Sequence, residues 1–167
     1  PPPLLEVQNL KTYFYTPEGT LPAVDGVDFS ISSGEAFGLV GESGCGKSTL
    51  SRALLALEPL QGGTVRITGR DFATGAPDIR RDVQAVFQDP YGSFNPRHRV
   101  DRLVAEPFHL TGAPEDIRDR VADALIEVGL KPDDMGKYIH EFSGGQRQRI
   151  AIARALIIRP DLIVLDE

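Results

Sequence analysis

Residues 41–49 read Gly-Glu-Ser-Gly-Cys-Gly-Lys-Ser-Thr, the pattern G-x-x-x-x-G-K-[ST]. No other stretch restricts the fold as strongly. Residues 36–40 before it form a short apolar run, typical of a buried strand. Residues 47–57 after it have helical character. Strand, glycine-rich turn and helix in that order make a cradle for phosphate groups. Gly41, Gly44 and Gly46 let the backbone curl until successive N–H groups converge, and the helix N-terminus adds partial positive charge. Glu42, Ser43 and Cys45 join through their backbone amides. Lys47 is expected to reach the β- and γ-phosphates, the Ser48 hydroxyl to ligate Mg²⁺, and Thr49 to lie near the α-phosphate. Cys45 is a small residue whose thiol, beside a helix N-terminus, is an expected alkylation site that bound nucleotide would protect. A purely structural turn is the plain alternative; the flanking strand and helix argue against it.

The rest of the 167-residue chain orders itself around that loop. Leu5, Val7 and Leu10 begin an apolar series that ends in Tyr13, Phe14 and Tyr15. Residues 16–19 (Thr-Pro-Glu-Gly) are a turn, and Val27, Phe29 and Ile31 alternate as in a half-buried strand. Gly62 and Gly63 lead into a strand over 64–68, and residues 83–87 form another. Residues 89–99, rich in Pro, Gly, Ser and Asn, are a loop. Helices are expected over 102–110, over 114–128 with Ile117, Val121, Leu125 and Val128 on one face and Gly129 as the cap, and over 144–158. Arg159 and Pro160 stop the last.

Composition excludes several alternatives. Eighteen basic against 24 acidic side chains leave a net charge of −6, which argues against a phosphate-gripping nucleic-acid binder. The single cysteine forms neither an internal disulfide nor a cysteine-rich zinc site. No apolar stretch approaches the roughly 20 residues of a membrane span, and no signal peptide opens the chain.

Two further segments carry chemistry. Leu162, Ile163, Val164 and Leu165 form an apolar strand delivering Asp166 and Glu167 to a sheet edge, where ligands bind in open α/β sheets. Asp166 is assigned to the metal shell and Glu167 to polarising the attacking water. Residues 142–149 read Phe-Ser-Gly-Gly-Gln-Arg-Gln-Arg. Ser143 is a good helix cap, and two glycines allow close backbone approach to an anion.

The phosphate loop, Gln88, the Ser-Gly-Gly-Gln octet and the acidic strand, in this order, resemble the ATP-binding subunit of ABC transporters over essentially the whole chain. Residues 86–97 and 140–149 resemble the oligopeptide/dipeptide/nickel importer branch. Phe94 stands where that branch commonly has Leu, and Ile139 where it has Pro; neither change touches a phosphate ligand.

The resemblance implies an α/β fold of P-loop NTPase type: an N-terminal antiparallel β region, a RecA-like core sheet and an inserted helical subdomain, with the C-terminal part missing. Residues 1–88 would be the β region and phosphate-loop core, 89–150 the helical subdomain with the signature, and 151–167 the return to the core. It also implies roles. Gln88 would contact Mg²⁺ and the water, and with Lys47 and Glu167 would carry catalysis; Ser48, Gln88 and Asp166 would hold the metal. Ser143, Gly144, Gly145 and Gln146 would meet the ATP held by a second such domain paired head to tail. Phe14 would stack on adenine with little discrimination between ATP and GTP. Tyr13 and Tyr15 are rivals that strand alternation turns to the opposite face. Residues 89–100 would dock on a membrane permease, with an extracytoplasmic solute-binding protein as indirect partner, at the cytoplasmic face of the membrane. His98 and His109 are expected at the surface.

The implied activity is ATP hydrolysis powering import of peptides or related solutes. The family's D-loop, switch histidine and later strands are not present, so the chain reads as a fragment expected to hydrolyse poorly alone. A DNA-repair or chromosome-organising ATPase would separate the motif halves with long heptads; a translation-associated relative would lack the docking loop; a small GTPase or kinase would not need Ser143 to Gln146. A binding-only remnant stays open, separated by comparing ATP binding with hydrolysis.

Overall fold

The computed structural model describes residues 3–39, 46–55, 60–71, 81–86 and 91–165. Two compact units divide between Arg80 and Arg81.

In the first unit, strands β1 (Leu5–Thr16) and β2 (Gly19–Ile31) form a long antiparallel hairpin. Strands β3 (Gly62–Ile67) and β4 (Arg70–Asp71) complete a sheet in the order β2-β1-β3-β4. The buried side chains of β1 are Leu5 and Val7, then Leu10 and Thr12. The switch from odd to even positions follows from a bulge at Asn9, whose φ is 49°. An extra residue there returns the later apolar positions to the first face. Gly63 (φ 81°) accepts the bulge, because a Cβ on it would overlap the carbonyl oxygens of Gln8 and Asn9. Helix α1 (Lys47–Leu54) buries Leu50, Ala53 and Leu54.

A buried strand is expected over residues 36–40; residues 36–39 are irregular, and Val40 lies outside the described residues. Phe37 and Leu39 are 44% and 46% exposed. Phe37 instead stacks on Phe29 of β2 at 5.1 Å. An apolar strand needs partners on its edges, and among the described residues none lies beside this one.

In the second unit, β5 (Val83–Val86) and β6 (Leu162–Leu165) pair in parallel, from Val83 opposite Leu162 to Val86 opposite Leu165. Around them lie helices α2 (Val100–Ala105), α3 (Phe108–Thr111), α4 (Ile117–Glu127) and α5 (Gly144–Leu156). One cluster contains Leu103, Val104, Leu125, Ile139 and Ile150, each at most 1% exposed. Each such side chain contributes about 1.5–3 kcal/mol when fully buried. The helix expected over 102–110 is broken. Pro107 has no N–H and blocks continuation, so α2 ends at Ala105 and α3 restarts at Phe108. Helix α4 ends as expected at Gly129: its N–H bonds to the Ile126 carbonyl and that of Leu130 to the Leu125 carbonyl, a Schellman closure. No helix among the described residues is long and apolar enough to cross a membrane.

Candidate functional site

In the first unit the site begins where the phosphate loop enters α1. Gly46 caps that helix with φ 98°, a left-handed conformation. A Cβ there would overlap the carbonyl oxygen of Ala23 and sit 3.8 Å from Val24 Cγ2. Gly46 thus sits against the β2 backbone at Ala23 and beside the Val24 side chain. Val24 pairs with Thr12 of β1, and two residues further along β1 Phe14 pairs with Leu21. Phe14 thus lies on the hairpin two positions along β1 from Thr12, the partner of Val24. Phe14 is 36% exposed, enough ring surface to receive a flat ligand.

Tyr13 is committed elsewhere. Its hydroxyl donates to Asp25 Oδ1 at 2.7 Å, and that bond holds the phenol above its ordinary pKa. Its N–H donates to Gln61 Oε1 at 2.6 Å. Tyr15, at 75% exposed, belongs to the open tip of the hairpin. Lys47, Ser48 and Thr49 form the first turn of α1. Its four leading amides have no helical acceptor, and no acidic side chain occupies that turn. A left-handed glycine that excludes any side chain, followed by a helix start with a lysine, fits a nucleotide phosphate. Gly41, Glu42, Ser43, Gly44 and Cys45 lie outside the described residues.

In the second unit Ser143 caps α5 through a closed reciprocal pair. The Gln146 N–H donates to Ser143 Oγ at 3.2 Å, and the Ser143 N–H donates to Gln146 Oε1 at 2.9 Å. Gly144 and Gly145 are exposed, with nothing within 4 Å of an added Cβ. The chain leaves the β5–β6 pair at Val86 and Leu165, which are register partners. Gln88, Asp166 and Glu167 follow those exits and lie outside the described residues. Among the described residues no group of three His, Cys, Asp or Glu is arranged to hold a metal. His98 Nε2 lies 3.3 Å from Asn95 Nδ2, and His109 Nδ1 lies 2.6 Å from the Glu106 carbonyl oxygen.

Two contributors escape sequence reading. The Ala23 carbonyl seats Gly46, yet an alanine in a strand carries no signal. Arg154, inside an apolar helix, carries no sequence signal of its contact with Ser93, 61 positions earlier.

The sequence profile described as "ABC transporter" matches residues 24–167. The chain is 46% identical over 180 residues to the oligopeptide transport ATP-binding protein OppF of Salmonella typhimurium, covering 98% of the chain and 54% of that protein. It is 41% identical to the dipeptide transport ATP-binding protein DppF of Escherichia coli, covering 99% and 53%. The chain thus spans about half the length of the curated relatives it matches. Among solved structures, CbiO1 of Clostridium perfringens, part of the ABC transporter complex CbiONQ, matches with a TM-score of 0.84 and 30% identity over 99% of the chain and 65% of CbiO1. The ATP-binding cassette MJ0796, dimeric and bound to ADP and Pi, matches at 0.85 and 28% over 98% and 73%.

Proposed function

The chain belongs to the ABC transporter family, and from that membership we propose that it binds ATP with Mg²⁺ and hydrolyses it to power import of peptides. The observation that carries this reading is the Gly46 seat. A left-handed glycine pressed on the β2 backbone starts a helix with Lys47, and Phe14 stands two positions along β1 from the Thr12–Val24 pair of the same hairpin. Peptides are favoured as cargo because the OppF and DppF relatives, at 46% and 41% identity, are oligopeptide and dipeptide transport proteins.

The residues divide the work. Gly41 to Gly46 and the α1 amides hold the phosphates, Lys47 neutralises the terminal charge, and Phe14 supports the adenine. Ser48, Gln88 and Asp166 are the residues that would hold Mg²⁺, which when bound neutralises phosphate charge. Glu167 accepts a proton from the attacking water and Gln88 orients that water. Ser143, Gly144 and Gly145 offer O–H and N–H donors to the γ-phosphate held by a second domain, while Gln146 locks the Ser143 backbone. Positioning and charge neutralisation supply most of the rate. Residues 1–88 act as the nucleotide-binding part, 89–150 as the helical subdomain that docks on membrane permease subunits, and 151–167 as the return to the core. The protein works at the cytoplasmic face of the membrane, served indirectly by a solute-binding protein.

The test uses the complete ATP-binding subunit. Calorimetry with Mg·ATP is expected to show binding that Lys47→Ala weakens at least about tenfold, since a charged phosphate contact is lost. Proteoliposomes carrying the assembled transporter are expected to accumulate oligopeptide only with ATP. Absence of nucleotide affinity, or an unaffected Lys47→Ala variant, overturns the reading.

A further inference from the structure

Arg154 occupies the last turn of α5, and its side chain is only 18% exposed. Its Nη2 donates to Ser93 Oγ at 2.8 Å and its Nη1 to the Ser93 carbonyl oxygen at 3.4 Å. The guanidinium carbon lies 4.4 Å from the centroid of the Phe94 ring. Glu106 Oε2, at 3.9 Å from Nη1, supplies a counter-charge. One cation thus holds the backbone, hydroxyl and ring of two adjacent residues. Desolvating a guanidinium is costly, and α5 already buries Ile150, Ala151, Ala153 and Ala155 without it. Anchoring the helix does not require this group.

The two ends of the contact belong to different parts of the site. Ser93 and Phe94 follow Gln88 by five and six residues. Helix α5 begins at the Ser143–Gly145 amides, about 15 Å from Arg154 at 1.5 Å per residue. We propose that Arg154 is a positioning residue that locks Ser93 and Phe94 to α5, so that movement of those two residues displaces the Ser143–Gly145 amides as one body. This rests on the function proposed above. The planar fork explains the residue type: lysine retains charge but loses the paired donors and the stacking.

The test uses the assembled transporter in proteoliposomes with Arg154→Met, Arg154→Lys and Phe94→Leu. Arg154→Met is expected to keep its KM for ATP within about twofold while kcat for solute-stimulated hydrolysis falls about tenfold, as removal of a coupling element does. Arg154→Lys should recover only part of kcat, and Phe94→Leu should lower kcat alone, about threefold. Hydrogen exchange adds a readout that packing alone does not move. Wild type should show ATP-dependent protection at both 91–95 and 143–147, and Arg154→Met only at the first. An unchanged kcat overturns the proposal. So does loss of ATP affinity and melting temperature in step with kcat, or full recovery by lysine. If Arg154→Met does not fold, the same split in Phe94→Leu decides. Wild type that fails to bind ATP defeats the proposed function; wild type with normal turnover beside an unaffected Arg154→Met defeats only this coupling.

Discussion

Gly46 and the carbonyl oxygen of Ala23 are packed so closely that no side chain fits between them. Gly46 is thereby seated on strand β2 in a left-handed conformation, φ 98°. Gly46→Ala meets two penalties: a backbone conformation unfavourable for L-residues, and overlap with an oxygen fixed in a strand. The variant should lose about 1–3 kcal/mol of stability. Its Mg·ATP affinity should fall at least about tenfold, because the amides of α1 are displaced from the phosphates. Urea titration and calorimetry measure the two effects separately.

Gly144 provides the opposite case. A Cβ at Gly144 meets nothing within 4 Å, and the residue has ordinary helical φ. Gly144→Ala should therefore leave stability unchanged or raise it by up to about 1 kcal/mol, since alanine favours helix. Mg·ATP affinity of the isolated subunit should also persist. Turnover of the assembled transporter should drop at least about tenfold, because a methyl group holds the partner's phosphate away from the amide donors. Equal turnover would remove this helix start from the proposed site.

Much of this was legible in the sequence, for a physical reason in each case. Leu125 and Val121 fall at helical spacing and Gly129 at the only position that closes α4, so local rules sufficed. The Ser143–Gln146 box is likewise a four-residue matter. The bulge at Asn9 was not legible, because it depends on Gly63 of another strand yielding space. Pro107 divides the helix expected over 102–110, since it cannot donate the N–H that a continuous helix needs. Residues 36–39 have the composition of a buried strand, but composition does not say whether a partner strand stands alongside. Arg154 is the same lesson at the site: its hydrogen-bond partner Ser93 lies 61 positions away.

Phe14 and Tyr13 differ in what they have left to offer. Tyr13 already bonds Asp25, whereas the Phe14 ring is 36% exposed and makes no polar contact. Phe14→Ala should weaken ATP and GTP binding equally, by about 1–3 kcal/mol, the range for one base stacked on an aromatic ring. Tyr13→Phe removes only the Asp25 bond and should leave both affinities unchanged. Competition of ATP and GTP against a fluorescent analogue distinguishes the two positions.

Thr12 of β1 is fully buried, and its hydroxyl has no hydrogen-bond partner among the described residues. A buried unsatisfied hydroxyl costs about 1–3 kcal/mol. Valine keeps the branched shape and β-propensity and removes the orphan oxygen. Thr12→Val should raise the urea midpoint by the equivalent of about 1 kcal/mol, with ATP affinity intact. A lower midpoint would mean that the hydroxyl is satisfied in solution.

Asp134 ties the turn after α4 to Lys137. Burial disfavours its charge, but the Lys131 N–H at 3.0 Å and the Lys137 ammonium at 2.9 Å outweigh it, so the carboxyl titrates below its ordinary value. Lys137 is held above its ordinary value, first by the hydrogen bond it donates to Asp134 and then by the carboxylate's charge. The sign follows from linkage. A carboxyl depressed in the folded state stabilises fully above its unfolded value of about 3.9, and that stabilisation is lost as pH falls towards the lower folded value. The lysine's share is present below about 10.4 and lost as pH rises beyond it. Asp134→Asn should therefore be less stable than wild type by about 1 kcal/mol at pH 7, as loss of a charge-assisted hydrogen bond implies. The difference should shrink below about pH 4, where wild type itself becomes protonated. Urea unfolding at pH 7 and pH 3 measures it; a gap of the same size at both values would assign the cost to shape and not to charge.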